Sequence, residues 1–201
     1  MTTDLTRQPA HVQLRALDRR EISSRELLDL HLDRIEGSTI NAVVTRDDDA
    51  ARQAARAADE RRARARGENT GVLDGLPLTV KDSFETAGLR TTSGAEDLQD
   101  HLPERDPDAV ARLRHQGAVI MGKTNTPAYC QDLHTDNALF GPTLNPHDPA
   151  RTVGGSSSGG PAAAVAAHLT PADLGSVLAG SLRLPAHYCG VYGLRPTGRI
   201  T

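Results

Sequence analysis

An α/β fold, with helices layered over a sheet, is predicted by three observations. Capped amphipathic segments alternate with short apolar runs, a pattern that leads to helices covering a sheet. The composition is that of a globular domain, 37% hydrophobic and 24% charged. At 201 residues the chain is long enough to bury one ordinary core. Aromatics are only 2%, so that core must be built from Ala, Val, Leu and Ile. No internal repeat or domain linker interrupts the pattern, so residues 1–201 are expected to form a single domain.

The elements follow in order. Ser23-x-x-Glu26 is a capping box that opens an amphipathic helix through Leu27, Leu28, Leu30, Leu32 and Ile35, stopped by Gly37. Asn41–Thr45 is short and β-prone. A second helix is expected from about Asp47 to Arg66, ahead of Gly67. Leu76–Val80 reads as a buried strand with Lys81 at its exit. Asp106 followed by Pro107 predicts a capped helix through Gln116, and Gly117–Met121 reads as the next strand. The Asn/Pro/Asp/Gly-rich stretch from Thr135 to Val153 is expected to be an ordered loop. Pro161 suits the first turn of a helix over Ala162–His168, which puts Gly154–Gly160 at a helix N-terminus, where unpaired amides favour negative charge.

Composition also narrows function. The net charge of −3 gives no reason to expect nucleic acid or membrane as a partner. The Arg-rich run from Arg52 to Arg66 is broken by Asp59 and Glu60 and reads as a solvated face rather than a nucleic-acid arm. The N-terminus has no apolar leader-like run, and no stretch is long enough to cross a bilayer. Cys130 and Cys189 make neither a metal spacing nor a disulfide framework, so reduced, buried thiols in a cytoplasmic protein are expected. The eight histidines fall into no ligand pattern, and no metal or cofactor is assigned.

Lysine usage is more informative. Lys+Arg is 23, yet only Lys81 and Lys123 are lysines. Arginine stays charged in proteins, whereas a desolvated lysine can lose its proton. Together with the Gly/Ser run Gly154–Gly160 and with Ser181 in Ala179–Pro185, Lys81 points to a serine hydrolase that uses lysine as its base. A rival reading is nucleotide binding, because Gly117–Thr124 satisfies the P-loop pattern G-x-x-x-x-G-K-[ST]. A P-loop needs a flexible loop after a strand and a helix beyond it. Here the variable residues Ala118–Met121 look like the strand itself, and Pro127 interrupts the place of the helix.

The segments Gly75–Asp82, Gly122–Asn125, Thr143–Pro146, the Gly/Ser run and Cys189–Thr197, in that order, resemble the landmarks of the amidase signature family. The resemblance runs nearly end to end. It implies a mixed-sheet α/β core and an amidase acting on the C–N bonds of linear, small-molecule amides through an acyl-enzyme. Position by position, the family's base falls on Lys81 and its nucleophile on Ser181. The relay serine, held in such enzymes on a cis peptide bond, falls on Ser157 when aligned back from Ser181, and on Ser156 when counted forward from Gly154–Gly155. The helix register after it favours Ser157. Backbone N–H groups of Leu178, Ala179, Gly180 and Ser181 would form the oxyanion hole. Asp82 is expected to point away from Lys81, while Asn125, Gln131 and Arg183 would brace the site.

Some positions depart from the family. Val177 stands where an acidic residue is usual and Ala179 where glycine is, which would strain the loop if residue 179 had a positive φ. Leu184 replaces the glutamine typical of the subfamily acting on misacylated tRNA, which favours a general amide hydrolase. Family members continue well beyond Pro196–Arg199, so the resemblance implies an N-terminal portion whose remainder completes the sheet and the acyl pocket. That alternative, a catalytically impaired fragment, would expose strand edges and apolar surface open to a second copy or another partner.

Overall fold

The computed structural model describes residues 4–64 and 71–196. Its first well-defined feature is the helix pair at the N-terminus. α1 spans Ala10–Asp18 and α2 spans Ser24–Glu36. The capping box of α2 is complete: the Glu26 amide donates to Ser23 Oγ at 3.1 Å and the Ser23 amide donates to the Glu26 carboxylate at 2.9 Å. Such a cap stabilises a helix by about 1 kcal/mol. Gly37 ends α2 as the spacing predicts.

β1 (Val43–Thr45) leads into α3 (Asp48–Arg64), and the expected end of α3 near Arg66 lies outside the described residues. The arginines of α3 serve the fold. Arg61 and Arg62 both pair with the fully buried carboxylate of Asp74, and Arg52 pairs with Asp29 on α2. The apolar side of α3 is written entirely in alanine, with Ala51, Ala55 and Ala58 buried against α2 and the sheet.

β2 (Pro77–Lys81) and β3 (Val119–Thr124) form the centre of a four-stranded mixed sheet in the order β1-β3-β2-β6. β1 runs antiparallel to β3, while β2 is parallel to both β3 and the two-residue β6, Asp173–Leu174. Side-chain alternation along the strands divides the core into two layers. Val119 and Met121 join α2, α3 and the helix α5 (Gly159–Ala166) on one side; Leu78, Val80 and Ile120 join Leu17, Leu27 and Val110 on the other. Thr79 and Lys81 therefore leave β2 on the face opposite Leu78 and Val80. The mixed α/β architecture agrees with the expectation.

Several boundaries differ from the sequence reading. α4 covers Asp108–His115, but Asp106 does not cap it; its carboxylate accepts from the Ala87 amide and pairs with Arg114 instead. The stretch from Thr135 to Val153 is not only loop, since β4 (Leu144–Asn145) and β5 (Asp148–Thr152) form a small hairpin. α5 begins two residues before Pro161, whose missing N–H falls among the donors a first turn leaves free anyway. The helix stops before His168, which has φ 58°. A final helix, α6, covers Arg183–Cys189. The P-loop pattern is realised as strand: Gly122, Lys123 and Thr124 are the last residues of β3. No described helix is long and apolar enough to cross a membrane.

Candidate active site

Lys81 ends β2 with its side chain fully buried, and two hydroxyls receive its Nζ protons: Ser157 Oγ at 2.7 Å and Ser176 Oγ at 2.8 Å. Ser157 sits just before α5, and Ser176 lies two residues past β6. The placement of both follows from close backbone approaches. A Cβ on Gly160 would lie 2.3 Å from the Asn125 carbonyl oxygen, so only glycine lets α5 settle against the end of β3. Ser158 Oγ donates to the Ser176 carbonyl at 3.0 Å, tying the Gly/Ser run to the segment after β6.

Burial pushes the Lys81 ammonium below its usual range, opposed by the Cys130 thiol and the Asp173 carboxylate. A depressed lysine is the form a general base needs. Cys130 is half-buried rather than buried, in a left-handed turn with Tyr129. Burial would raise its thiol, but Lys81 and the Thr126, Ser83 and Ser157 hydroxyls outweigh that and the net direction is downward. Sequence reading missed both Cys130 and Ser176 as neighbours of Lys81; neither has a local pattern that announces a contact made across the fold. Asp82 faces away from Lys81 as expected. It is buried, and its carboxylate accepts from the Thr92 hydroxyl at 2.5 Å and the Thr92 amide at 3.1 Å.

Ser181, 5% exposed, lies at the mouth of the same cluster, where its Oγ is 2.7 Å from Ser156 Oγ. The two candidate relay serines are thus divided: Ser157 meets the lysine and Ser156 meets the candidate nucleophile. Ser156 has φ 102°, a left-handed conformation that costs a non-glycine residue strain. No cis peptide bond occurs among the described residues, in contrast to the expectation for the relay serine.

The amides of Leu178, Ala179, Gly180 and Ser181 donate to no acceptor among the described residues. The positive φ of this loop, 138°, falls on Gly180, and Ala179 takes no strain. Leu178 is 99% exposed at the loop tip. Leu184 leans over Gly180, where an added Cβ would meet Leu184 Cδ1 at 2.9 Å. The hairpin β4–β5 holds the far end of α6, with Asn145 Nδ2 donating to the Tyr188 carbonyl at 3.2 Å and His147 Nε2 to the Cys189 carbonyl at 2.8 Å.

Asn125 does brace the site. Its amide donates to Gly141 O and Thr143 Oγ1, both at 3.0 Å, and its carbonyl accepts from Asn137. Gln131 and Arg183 are exposed and make no side-chain hydrogen bond among the described residues, so the bracing expected of them is absent. Lys123 is buried in a cradle of the Phe84 carbonyl, Thr86 Oγ1 at 2.7 Å and Thr91 Oγ1 at 3.1 Å, and burial pushes it down to about 8. No cluster of three or more His, Cys, Asp or Glu side chains that could hold a metal occurs among the described residues.

A buried lysine, a serine on it and a second serine pair thus meet at a glycine-rich turn beyond the end of the central strand β2. The chain belongs to the Amidase family, whose model matches residues 26–200. It is 47% identical over 184 residues to a glutamyl-tRNA(Gln) amidotransferase subunit of Synechococcus sp. (strain CC9605), covering 90% of this chain and 37% of that protein. The corresponding subunit of Moorella thermoacetica is 45% identical over 195 residues, with 96% and 39% covered. Among solved structures, an inhibitor-bound complex bearing on the evolutionary origins of an s-triazine catabolic enzyme superposes with TM-score 0.88 at 38% identity, covering 94% of this chain and 41% of that one. A bacterial aryl acylamidase of the amidase signature enzymes superposes with TM-score 0.83 at 34% identity, covering 89% and 37%. The chain therefore spans about two fifths of the length of the proteins it matches.

Proposed function

We propose that this chain supplies the catalytic centre of an amide hydrolase, with Ser181 as nucleophile, Ser157 as relay and Lys81 as base. The observation that carries the reading is the 2.7 Å contact between a fully buried Lys81 and Ser157, one serine away from Ser156 on Ser181. A serine hydroxyl is a weak nucleophile until a base removes its proton. In the proposed step Ser181 Oγ bonds to the amide carbonyl carbon while its proton passes to Ser157 Oγ. Ser157 gives its own proton to neutral Lys81. The amides of Leu178–Ser181 receive the negative charge that develops on the carbonyl oxygen. The C–N bond then breaks as the leaving nitrogen takes a proton back through the same relay, and water later hydrolyses the acyl ester to a carboxylate. Ser181 must first turn its hydroxyl from Ser156 to Ser157.

A second reading is favoured by the similarity to the amidotransferase subunits. There the same acyl-enzyme would release ammonia for transfer to another acyl group. The hydrocarbon side chain of Leu184 beside Gly180, 44% exposed, supports an apolar amide and hydrolysis. The experiment is labelling of the 201-residue chain with a fluorophosphonate, located by peptide mass spectrometry. The expected result is adduct on Ser181 that disappears in Ser181→Ala and in Lys81→Ala. Labelling that survives both substitutions, or none at all in the unaltered chain, overturns the reading for this chain.

A further inference from the structure

Asp173 is a buried carboxylate that the proposed relay does not use. It sits on β6, paired across β2 at Thr79, and its Oδ2 accepts from Thr79 Oγ1 at 2.6 Å and from Thr124 Oγ1 at 3.0 Å. Both donors belong to the strands that carry the chain's two lysines. Thr79 precedes Lys81 by two residues on the same face of β2, and Thr124 follows Lys123 and stands opposite Lys81 in the β2–β3 register. Its other oxygen, Oδ1, is buried with no hydrogen-bond partner. A buried charge left partly unsatisfied is costly, and residues kept at such a cost cluster where they serve a site.

The charged surroundings of the two lysines differ. Lys123 feels Asp82, Glu85 and Asp106 as well as Asp173. Lys81 has two titrating neighbours, the Cys130 thiol and Asp173, and its direct contacts at Ser157 and Ser176 are neutral hydroxyls. Asp173 in turn faces both lysines, while burial pushes its carboxyl up to about 6, against the Thr79 and Thr124 hydroxyls that favour the anion. A lysine base has two requirements: neutral when it takes the proton, and stable as a cation until it returns it. A carboxylate in direct contact would lock the cation. One held off by two threonine hydroxyls, as here, supports the cation at a distance.

We propose that Asp173 is a positioning residue for proton transfer, the shared counter-ion of Lys81 and Lys123 that governs when Lys81 holds its proton. The inference rests on the reading of Lys81 as base. Because the sequence contains only two lysines, a chain grown on ¹³C-lysine gives just two Cε resonances, assigned with Lys81→Met. In the unaltered chain both resonances should show a secondary inflection near pH 6, where Asp173 titrates. In Asp173→Asn that inflection should vanish and the Lys81 midpoint should move to lower pH, and Asp173→Glu should restore it. A Lys81 resonance without the inflection, or with the same midpoint in Asp173→Asn, overturns the proposal. The titration needs no substrate, so it is read separately from the labelling experiment. Labelling that persists in Lys81→Ala removes the base, whereas an unmoved midpoint removes the counter-ion alone.

Discussion

Ser156→Gly distinguishes the two serines that the fold has divided between Lys81 and Ser181. The substitution removes the 2.7 Å contact to Ser181 Oγ, which contributes about 0.5–1.5 kcal/mol to stability. It also relieves a left-handed residue at φ 102°, worth about 1–2 kcal/mol for a side chain with Cβ. The two effects nearly offset, so the glycine variant should melt close to the unaltered chain. Ser156→Ala loses the contact without the relief and should be less stable than the glycine variant by about 1–2 kcal/mol. On the chemistry the expectation is opposite to that for a relay residue. With its hydroxyl released from Ser156, Ser181 turns toward Ser157 and is labelled by fluorophosphonate at least as fast as in the unaltered chain. Ser157→Ala, by contrast, should slow labelling by about 10²–10⁴-fold, the usual contribution of general base catalysis. Urea melts and labelling rates measure both quantities on the same preparations. If Ser156→Gly abolishes labelling as deeply as Ser157→Ala does, the proton leaves through Ser156 and the assignment of Ser157 falls.

Two further outcomes concern the frame around the site. Gly160→Ala places a methyl 2.3 Å from the Asn125 carbonyl oxygen and 2.5 Å from its amide nitrogen, backbone atoms that cannot rotate away; a loss of about 1–3 kcal/mol, seen as a lowered urea midpoint, is expected. Acid stability should expose Asp173. Its carboxyl is raised to about 6 in the folded chain from 3.8, so the anion opposes folding at neutral pH and that penalty is relieved as pH falls from 6 toward 3.8, by about 3 kcal/mol. Buried His31, lowered to about 4 from 6.5, works the other way: over nearly the same range the unfolded chain takes up a proton that the buried imidazole does not, and stability falls as pH falls. Asp173→Asn removes only the first contribution. Its stability relative to the unaltered chain should therefore decline between pH 7 and pH 4, and parallel pH curves would refute this.

Where local chemistry decides structure, the sequence was readable. The capping box at Ser23 and Glu26, the stop at Gly37, and the apolar strands ending at Lys81 and beside Lys123 all have causes within a few residues. Elements decided by distant partners were not. β6 is two residues long and starts with an aspartate, a poor strand former, and it exists because Thr79 and Val80 offer a free edge. α6 is only seven residues long and carries Pro185 in its first turn, too short to stand alone, and it is held by the hairpin that pairs within a Pro-rich stretch. Asp106 looked like a cap because caps are local, yet Ala87 and Arg114 claim it. The site divides in the same way. Lys81, Ser157 and Ser181 stand out as residues in motifs, whereas Ser176, Cys130 and Asp173 become neighbours of the lysine only once the chain has folded.

The β4–β5 hairpin pins the end of α6 and then runs directly into Gly154–Ser158. One short stretch of chain thus acts as the pivot of a caliper whose jaws are Ser157 and Ser181. The hairpin holds the far end of α6 through the Tyr188 and Cys189 carbonyls, so it helps set the gap between the jaws. A residue added or removed within 146–153 would shift one jaw against the other while leaving the identity of every reactive side chain unchanged. Such a change would disable the chemistry without touching any residue that performs it.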